Sequence, residues 1–149
     1  GSEGDIFLVD NAKLSGSNKL GNSFNIKANK INQIDNKLPI ISGGKITGDI
    51  NISSKIYMQI KAKIAELNTK SNVLKLLGGF QIINKKYKLI GKEIFFDFKN
   101  STITSNQPLT FLFSRGKIHG GKLKIINSKN KENDLLFLIK DGVKIKYLL

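Results

Sequence analysis

The 149-residue sequence contains no cysteine, so a disulfide framework, a thiol nucleophile and a thiolate metal site are all excluded. Histidine is almost as scarce. His119 is the only one, which rules out a His-pair metal site and leaves no spare for a Ser–His arrangement. Between Ile118 and Gly120 it reads as a turn or strand-end residue. The eleven acidic residues are spread singly, with no D-x-D or E-x-x-H cluster. Paired carboxylates for sugar hydrolysis would need the fold to bring together residues such as Asp49 and Glu66. Gly43-Gly44 and Gly120-Gly121 lack the Lys-Ser/Thr partner of a phosphate loop. Apolar runs are short: Leu135-Leu136-Phe137-Leu138-Ile139 is among the longest, far below the roughly 18 residues of a membrane span. The expectation is a protein that is not an enzyme and needs neither cofactor nor metal. The opening Gly1-Ser2 reads as a vestige of cloning, so an upstream signal or anchor is expected to have been removed.

What the chain does have is lysine. Formal net charge is +14, and Arg115 is the only arginine. Such a surplus predicts attraction to phosphate-bearing surfaces: nucleic acid, anionic lipid or phosphorylated glycolipid. Lys, Ile and Asn are all abundant, as in an A- and T-rich genome, so part of the charge is compositional drift. Lysine is also a point charge without the planar fork that reads flat groups. At 40% hydrophobic residues the chain can build a core, and its length fits one domain over residues 1–149.

The pattern is that of strands. Only Pro39 and Pro108 interrupt it, and apolar residues alternate with polar ones at period two. Ile56, Met58, Ile60, Ala62 and Ile64 share one predicted face, with Tyr57, Gln59, Lys61 and Lys63 on the other. Turn signals fall at Asn22-Ser23, Gly43-Gly44, Gly78-Gly79, Asn84-Lys85, Arg115-Gly116, Gly120-Gly121 and Asp141-Gly142. A short helix over 61–77, from the spacing of Ile60, Ile64 and Leu67, competes with this reading. A repeat argues against it. The unit apolar–x–apolar–x–small occurs as Phe24-Asn25-Ile26-Lys27-Ala28, Met58-Gln59-Ile60-Lys61-Ala62 and Tyr87-Lys88-Leu89-Ile90-Gly91. Each is followed by a return strand containing glycine: Ile46-Thr47-Gly48-Asp49-Ile50, Leu76-Leu77-Gly78-Gly79-Phe80 and Phe113-Ser114-Arg115-Gly116-Lys117-Ile118. A hairpin of that size cannot bury its own apolar face, so the units must stack on a common core. Small residues at matched positions predict bends or close backbone approach.

Over roughly residues 20 to 147 this arrangement resembles the periplasmic lipopolysaccharide-transport protein C (LptC) family, within the OstA-like modules. Leu74-Lys75-Leu76-Leu77-Gly78-Gly79-Phe80-Gln81-Ile82 is similar to that family's L-x-L-x-G-x-V-x-V strand. Tyr87-Lys88-Leu89-Ile90-Gly91, with Ile103-Thr104-Ser105 and Pro108-Leu109, resembles its late repeat. Ile118 to Leu123 and Gly142-Val143-Lys144-Ile145-Lys146-Tyr147 resemble the stretches that close it. The bridging relative LptA tends to carry aspartate after the small residue of the repeat. Here Asn29, Lys63 and Lys92 stand there, which favours C over A. The resemblance implies an all-β fold, a twisted β-jellyroll of two antiparallel sheets built from stacked hairpin repeats. It implies a periplasmic domain held to the inner membrane by an N-terminal helix. It further implies lipopolysaccharide as ligand, the LptB2FG transporter complex as donor, and LptA as acceptor through edge-strand pairing.

Candidate residues follow from alternation. Phe24, Ile26, Ile60, Ala62, Leu76, Phe80, Leu89, Phe111 and Phe113 are candidate lining for an apolar lipid groove, or else plain sandwich core. Lys27, Lys61, Lys63 and Lys117 are candidates for steering lipid phosphates, or else a solvated face. The terminal strands are apolar and free of proline, so Ile6, Leu8, Val143, Ile145 and Tyr147 are candidate edge-strand partner contacts. The alternatives are an LptA-like bridge or a strand-pairing scaffold without lipid transfer, and a basic nucleic-acid binder. No nucleic acid is expected, because Phe95, Phe96, Phe98, Phe111 and Phe113 lie in dense apolar runs rather than between exposed lysines.

Overall fold

A computed structural model describes residues 6–10, 12–33, 40–127 and 135–147, with side chains over 12–31, 41–126 and 136–147. Fifteen antiparallel strands run through these residues, and none of the described residues is helical. They are β1 (Ile6–Asp10), β2 (Lys13–Ser17), β3 (Ser23–Lys27), β4 (Lys30–Gln33), β5 (Ile40–Ile52), β6 (Ile56–Asn68), β7 (Val73–Ile83) and β8 (Tyr87–Gly91). Then follow β9 (Ile94–Asp97), β10 (Thr102–Ser105), β11 (Leu109–Phe113), β12 (Gly116–Gly120), β13 (Lys122–Asn127), β14 (Leu135–Lys140) and β15 (Lys144–Tyr147).

The strands form one hydrogen-bonded sheet folded across its own strands into two leaves. In the first leaf the order is β1-β2-β3-β5-β6-β7-β8-β11-β12-β15. In the second, β4 pairs with the other half of β5, and β7 continues through β9, β10, β13 and β14. The long strands β5, β6 and β7 belong to both leaves, and the chain crosses the fold line with every pass.

The crease has local causes. Lys45 takes a left-handed φ of 49°, the β6–β7 register slips between Ala62 and Ile64, and Gly78 and Gly79 sit at φ 75° and 107°. Glycine adopts such angles without a Cβ penalty. Backbone bonds lie along the same line, Asn29 N–H to the Gly44 carbonyl at 2.9 Å and Gly79 N–H to the Lys92 carbonyl at 3.1 Å. Asn29, Lys63 and Lys92, which follow the small residue of each repeat, therefore all stand on the crease. The repeat marks where the sheet folds, not three separate hairpins.

Several turn signals are corrected on this basis. Gly43-Gly44 and Gly78-Gly79 are bends inside β5 and β7, and Gly120-Gly121 and Asp141-Gly142 carry the chain from one leaf to the other. Asn84-Lys85 and Arg115-Gly116 are true hairpin turns. The shared face expected for Ile56 to Ile64 ends at the register slip: beyond it Ala65 and Leu67, not Ile64, are buried. The helix weighed for 61–77 is the end of β6 and the start of β7.

The inner faces of the leaves enclose a single core. Cross-strand registers line up Ile26, Gly48, Ile60, Ile82, Leu89, Phe111, Ile118 and Ile145 in the first leaf. The second leaf answers with Leu67, Leu74, Phe96, Ile103, Ile125 and Phe137. Each fully buried Leu, Ile or Phe contributes about 1.5–3 kcal/mol. The N-terminal side is also clasped by polar bonds. Asn22, 1% exposed, donates from Nδ2 to the Phe98 carbonyl at 2.7 Å and to Ser101 Oγ at 2.9 Å, and its Oδ1 accepts from Ser53 N–H at 2.8 Å. Phe24 stacks on Phe98 across the same gap, with centroids 5.1 Å apart.

Candidate functional site

Burial fades along both inner rows in the same direction. Ile26 and Ile60 are 2% exposed, Ile82 and Leu89 are sealed, Phe111 and Ile118 are half-buried, and Ile145 on the last strand is 53% exposed. In the second leaf the row goes from sealed Leu74 and Phe96 to half-buried Phe137 on β14. Among the described strands β14 and β15 are not paired with each other; β14 bonds β13 and β15 bonds β12. The two leaves thus part along an apolar seam at their C-terminal edges.

Aromatic rings line this seam. Tyr87 stacks on Phe111 at 5.1 Å, Phe137 meets both edge-on at 5.5 and 5.7 Å, and Phe113 packs between Phe111 and Tyr147. The rings come together because Tyr87 and Phe113 are register partners and Phe111 follows on the same face of β11. Beside them a groove of about 700 Å³ runs to the tips of β6 and β8, lined by Ile56, Tyr57, Tyr87 and Phe137 together with Lys55, Lys85 and Lys86. It has an apolar floor and cationic lips. The Tyr87 hydroxyl is buried here without a hydrogen-bond partner among the described residues.

Burial pushes the Tyr87 phenol from 10.0 up to about 12. Ionisation is therefore easier in the unfolded chain, and the associated stability is present below about pH 10 and lost as pH climbs towards 12. Urea midpoints followed across that range should fall more steeply for the wild type than for Tyr87→Phe. The variant should also be about 1 kcal/mol more stable at neutral pH, because it removes an unpaired buried hydroxyl. Equal slopes would mean that the phenol is hydrated.

Of the candidates expected to line a groove, Phe24, Ile26, Ile60, Leu76, Phe80 and Leu89 are packed in the core, none more than 3% exposed. Ala62 is half-buried, while Phe111 and Phe113 reach the seam. The lysines separate differently. Lys27 and Lys61 project from the outer face of the first leaf, because Ile26 and Ile60 take the inner face. Lys117 is on that outer face too, and Lys63 stands at the crease against Gly78. None of the four borders the seam. Val143, Ile145 and Tyr147 are 44%, 53% and 70% exposed, at and just before the free edge strand β15. The backbones of Ile6 and Leu8 form part of β1, the opposite edge, and their side chains lie outside the described residues. Tyr87, Phe137 and the lysines at 55, 85 and 86 escaped sequence reasoning, since their meeting depends on pairing across leaves. Among the described residues no group of three metal-ligating side chains occurs.

No family model matches the sequence, and no curated protein matches it. Among solved structures the fold is similar to that of LptH, the LptA-homologous periplasmic component of the conserved lipopolysaccharide transport device from Pseudomonas aeruginosa. The TM-score is 0.53 at 10% identity, over 78% of this chain and 94% of LptH. The chain has the LptA-like β-jellyroll fold. The expected fold class is met: all-β, antiparallel and unclosed. At this identity the likeness speaks of architecture, and LptH is of the A type, whereas the sequence motifs resemble type C.

Proposed function

We propose that this chain is a non-enzymatic periplasmic carrier of lipopolysaccharide that takes lipid acyl chains into the seam between β14 and β15. The observation that carries the reading is the fading burial of one continuous apolar inner face, ending in a half-buried aromatic cluster and the exposed Ile145 and Tyr147. Each methylene withdrawn from water contributes about 0.8 kcal/mol, so an acyl chain of a dozen methylenes gains on the order of 10 kcal/mol. Alternation sorts the parts without further design: apolar residues face the seam, and lysines at its lips meet phosphates. The unpaired Tyr87 hydroxyl offers a donor to an ester or amide carbonyl at the chain's base.

At the finer level, the resemblance of the closing strands favours an LptC-like role. The domain is then anchored to the inner membrane by an N-terminal helix, receives lipid from the LptB2FG transporter and hands it to LptA. Among the described residues no helix is long and apolar enough to cross a membrane. A second reading, an LptA-like bridge or strand-pairing scaffold, draws on the likeness to LptH and on the open edges of the first leaf, β1 and β15.

Photo-crosslinking tests the carrier reading. A benzoylphenylalanine in place of Phe113 or Phe137 should couple to lipopolysaccharide, whereas one at Phe95, on the outer face of the second leaf beneath Lys75, should not. Equal coupling at all three would remove the seam as the lipid site.

A further inference from the structure

The outer face of the first leaf meets the groove beside the seam only at Tyr57, Gln59 and Ile83 among the described residues, and its charge is one-sided. Lys13, Lys27, Lys61, Lys88, Lys117, Lys144 and Lys146 all project there by alternation with buried or inward neighbours. Asp49 is the acid among the described side chains of that face, and it accepts from Asn25 Nδ2 at 3.5 Å. Asp10, in register with Lys13 at the β1 edge, lies outside the described side chains. Like charges even stand directly opposite each other, Lys13 to Lys27 and Lys117 to Lys146. Such pairs destabilise a sheet unless something anionic covers them. The outer face of the second leaf is mixed: Lys122 also stands opposite Lys140, but Lys75 is opposite Glu66 and over the Phe95 ring, and Lys122 pairs with Asp141 at 3.4 Å.

Between the lysines the face carries uncharged polar side chains together with a few apolar ones. Tyr57 is 49% and Ile83 36% exposed, with half-buried Ile90 and Leu112 beside them. A groove of about 710 Å³ runs across it, where Tyr57 and Ile83 stand among Lys13, Lys27 and Lys61 and the polar Asn25, Thr47, Asp49 and Gln59. Apolar groups ringed by point charges match a lipid–water interface, where side chains enter the headgroup layer while lysines meet phosphates. A nucleic-acid surface fits less well. Among the described residues the face carries no arginine, and Tyr57 is its one exposed aromatic ring for stacking bases.

We propose that this outer face docks on the anionic headgroup surface of a membrane, holding the domain against the bilayer independently of acyl uptake. Its partner is an array of phosphate headgroups, so binding needs negative surface charge and weakens with salt. In a flotation assay the intact chain should partition onto vesicles of equal parts phosphatidylcholine and phosphatidylglycerol, not onto phosphatidylcholine alone, and detach at about 0.5 M salt. Each lysine near such a surface is worth about fivefold, so Lys27→Gln/Lys61→Gln/Lys88→Gln should lower partitioning about a hundredfold. A matched triple on the second leaf, Lys30→Gln/Lys124→Gln/Lys140→Gln, removes the same charge and should lower it less than about threefold. Because all six lysines are exposed or half-buried, the variants keep the core intact. Equal loss in the two triples would reduce the effect to net charge and overturn the proposal. So would tighter binding of a single-stranded oligonucleotide than of the anionic vesicles at the same salt. Seam crosslinking in the first triple should be unchanged, which separates this surface from the carrier reading.

Discussion

Asn22→Ala is expected to lower the unfolding free energy by about 3–5 kcal/mol, the largest effect of any single polar truncation in the molecule. The carboxamide is 1% exposed and satisfies three groups at once: the Phe98 carbonyl, Ser101 Oγ and the Ser53 N–H. Alanine takes that partner from Ser101 Oγ and the Ser53 N–H where water has little access, at about 1–3 kcal/mol each, while the Phe98 carbonyl keeps the donor from Asn18. Asn18 provides the control. It also donates to the Phe98 carbonyl, at 2.8 Å, and accepts from the Leu20 and Asn22 N–H groups at 3.0 and 3.2 Å, but is half-buried, so Asn18→Ala should cost only about 1–2 kcal/mol. The two can be compared through urea midpoints at unchanged m-value. A loss below 1 kcal/mol for Asn22→Ala would show that stacking of Phe24 on Phe98, not the amide, holds the leaves together on that side. The physical point is an asymmetry. Among the described residues the leaves are clasped by directional side-chain bonds on the N-terminal side and meet through aromatic contacts on the C-terminal side.

The strand character was legible because alternation is a local signal. Met58, Ile60, Leu74, Leu76 and Leu89 announce their buried face within a few residues, and all are sealed. The crease was half legible. Small residues at matched positions pointed to bends, yet Gly43-Gly44 and Gly78-Gly79 read as turns, because glycine pairs signal a change of direction without saying whether the strand stops. The register slip at Lys63 was invisible, and it moved Ile64 off the inner face. The seam was the least legible part. Phe111 and Phe113 were singled out for their apolar run, but Tyr87 and Phe137 reach them only through the pairing of β8 with β11 and the return of β14 over the core. Sequence separation, not weak chemistry, hid the site. For the same reason the sequence left the lysines open between phosphate steering and a solvated face, and Lys27 and Lys61 stand exposed on the outer face. Period-two alternation says that Lys27 and Lys61 oppose Ile26 and Ile60; it does not say which face of a folded sheet holds the ligand.

A charge placed at Phe80 and at Phe113 should separate core from seam, although both residues carry the same side chain on the same leaf. Phe80 is 3% exposed and covers Gly91 so closely that a Cβ there would lie 2.8 Å from the ring. Phe80→Lys forfeits the burial of a phenyl group, about 3–5 kcal/mol, and buries an unpaired ammonium at a further cost of several kcal/mol. That sum approaches the whole stability of an ordinary domain, so the variant should lose its β-sheet circular dichroism at room temperature. Phe113 is half-buried beside exposed Tyr147, where an ammonium can reach water along the edge of β11. Phe113→Lys should therefore cost only about 1–2 kcal/mol and keep the sheet spectrum, yet weaken lipopolysaccharide capture at least about tenfold. Tenfold corresponds to about 1.4 kcal/mol, less than two methylenes' worth of acyl burial, so a lysine in the path of even one chain suffices. Capture measured on the folded Phe113→Lys protein is the decisive reading. If it equals that of the wild type, acyl chains do not pass between β14 and β15, and the fading burial of the inner face is only the frayed end of a core.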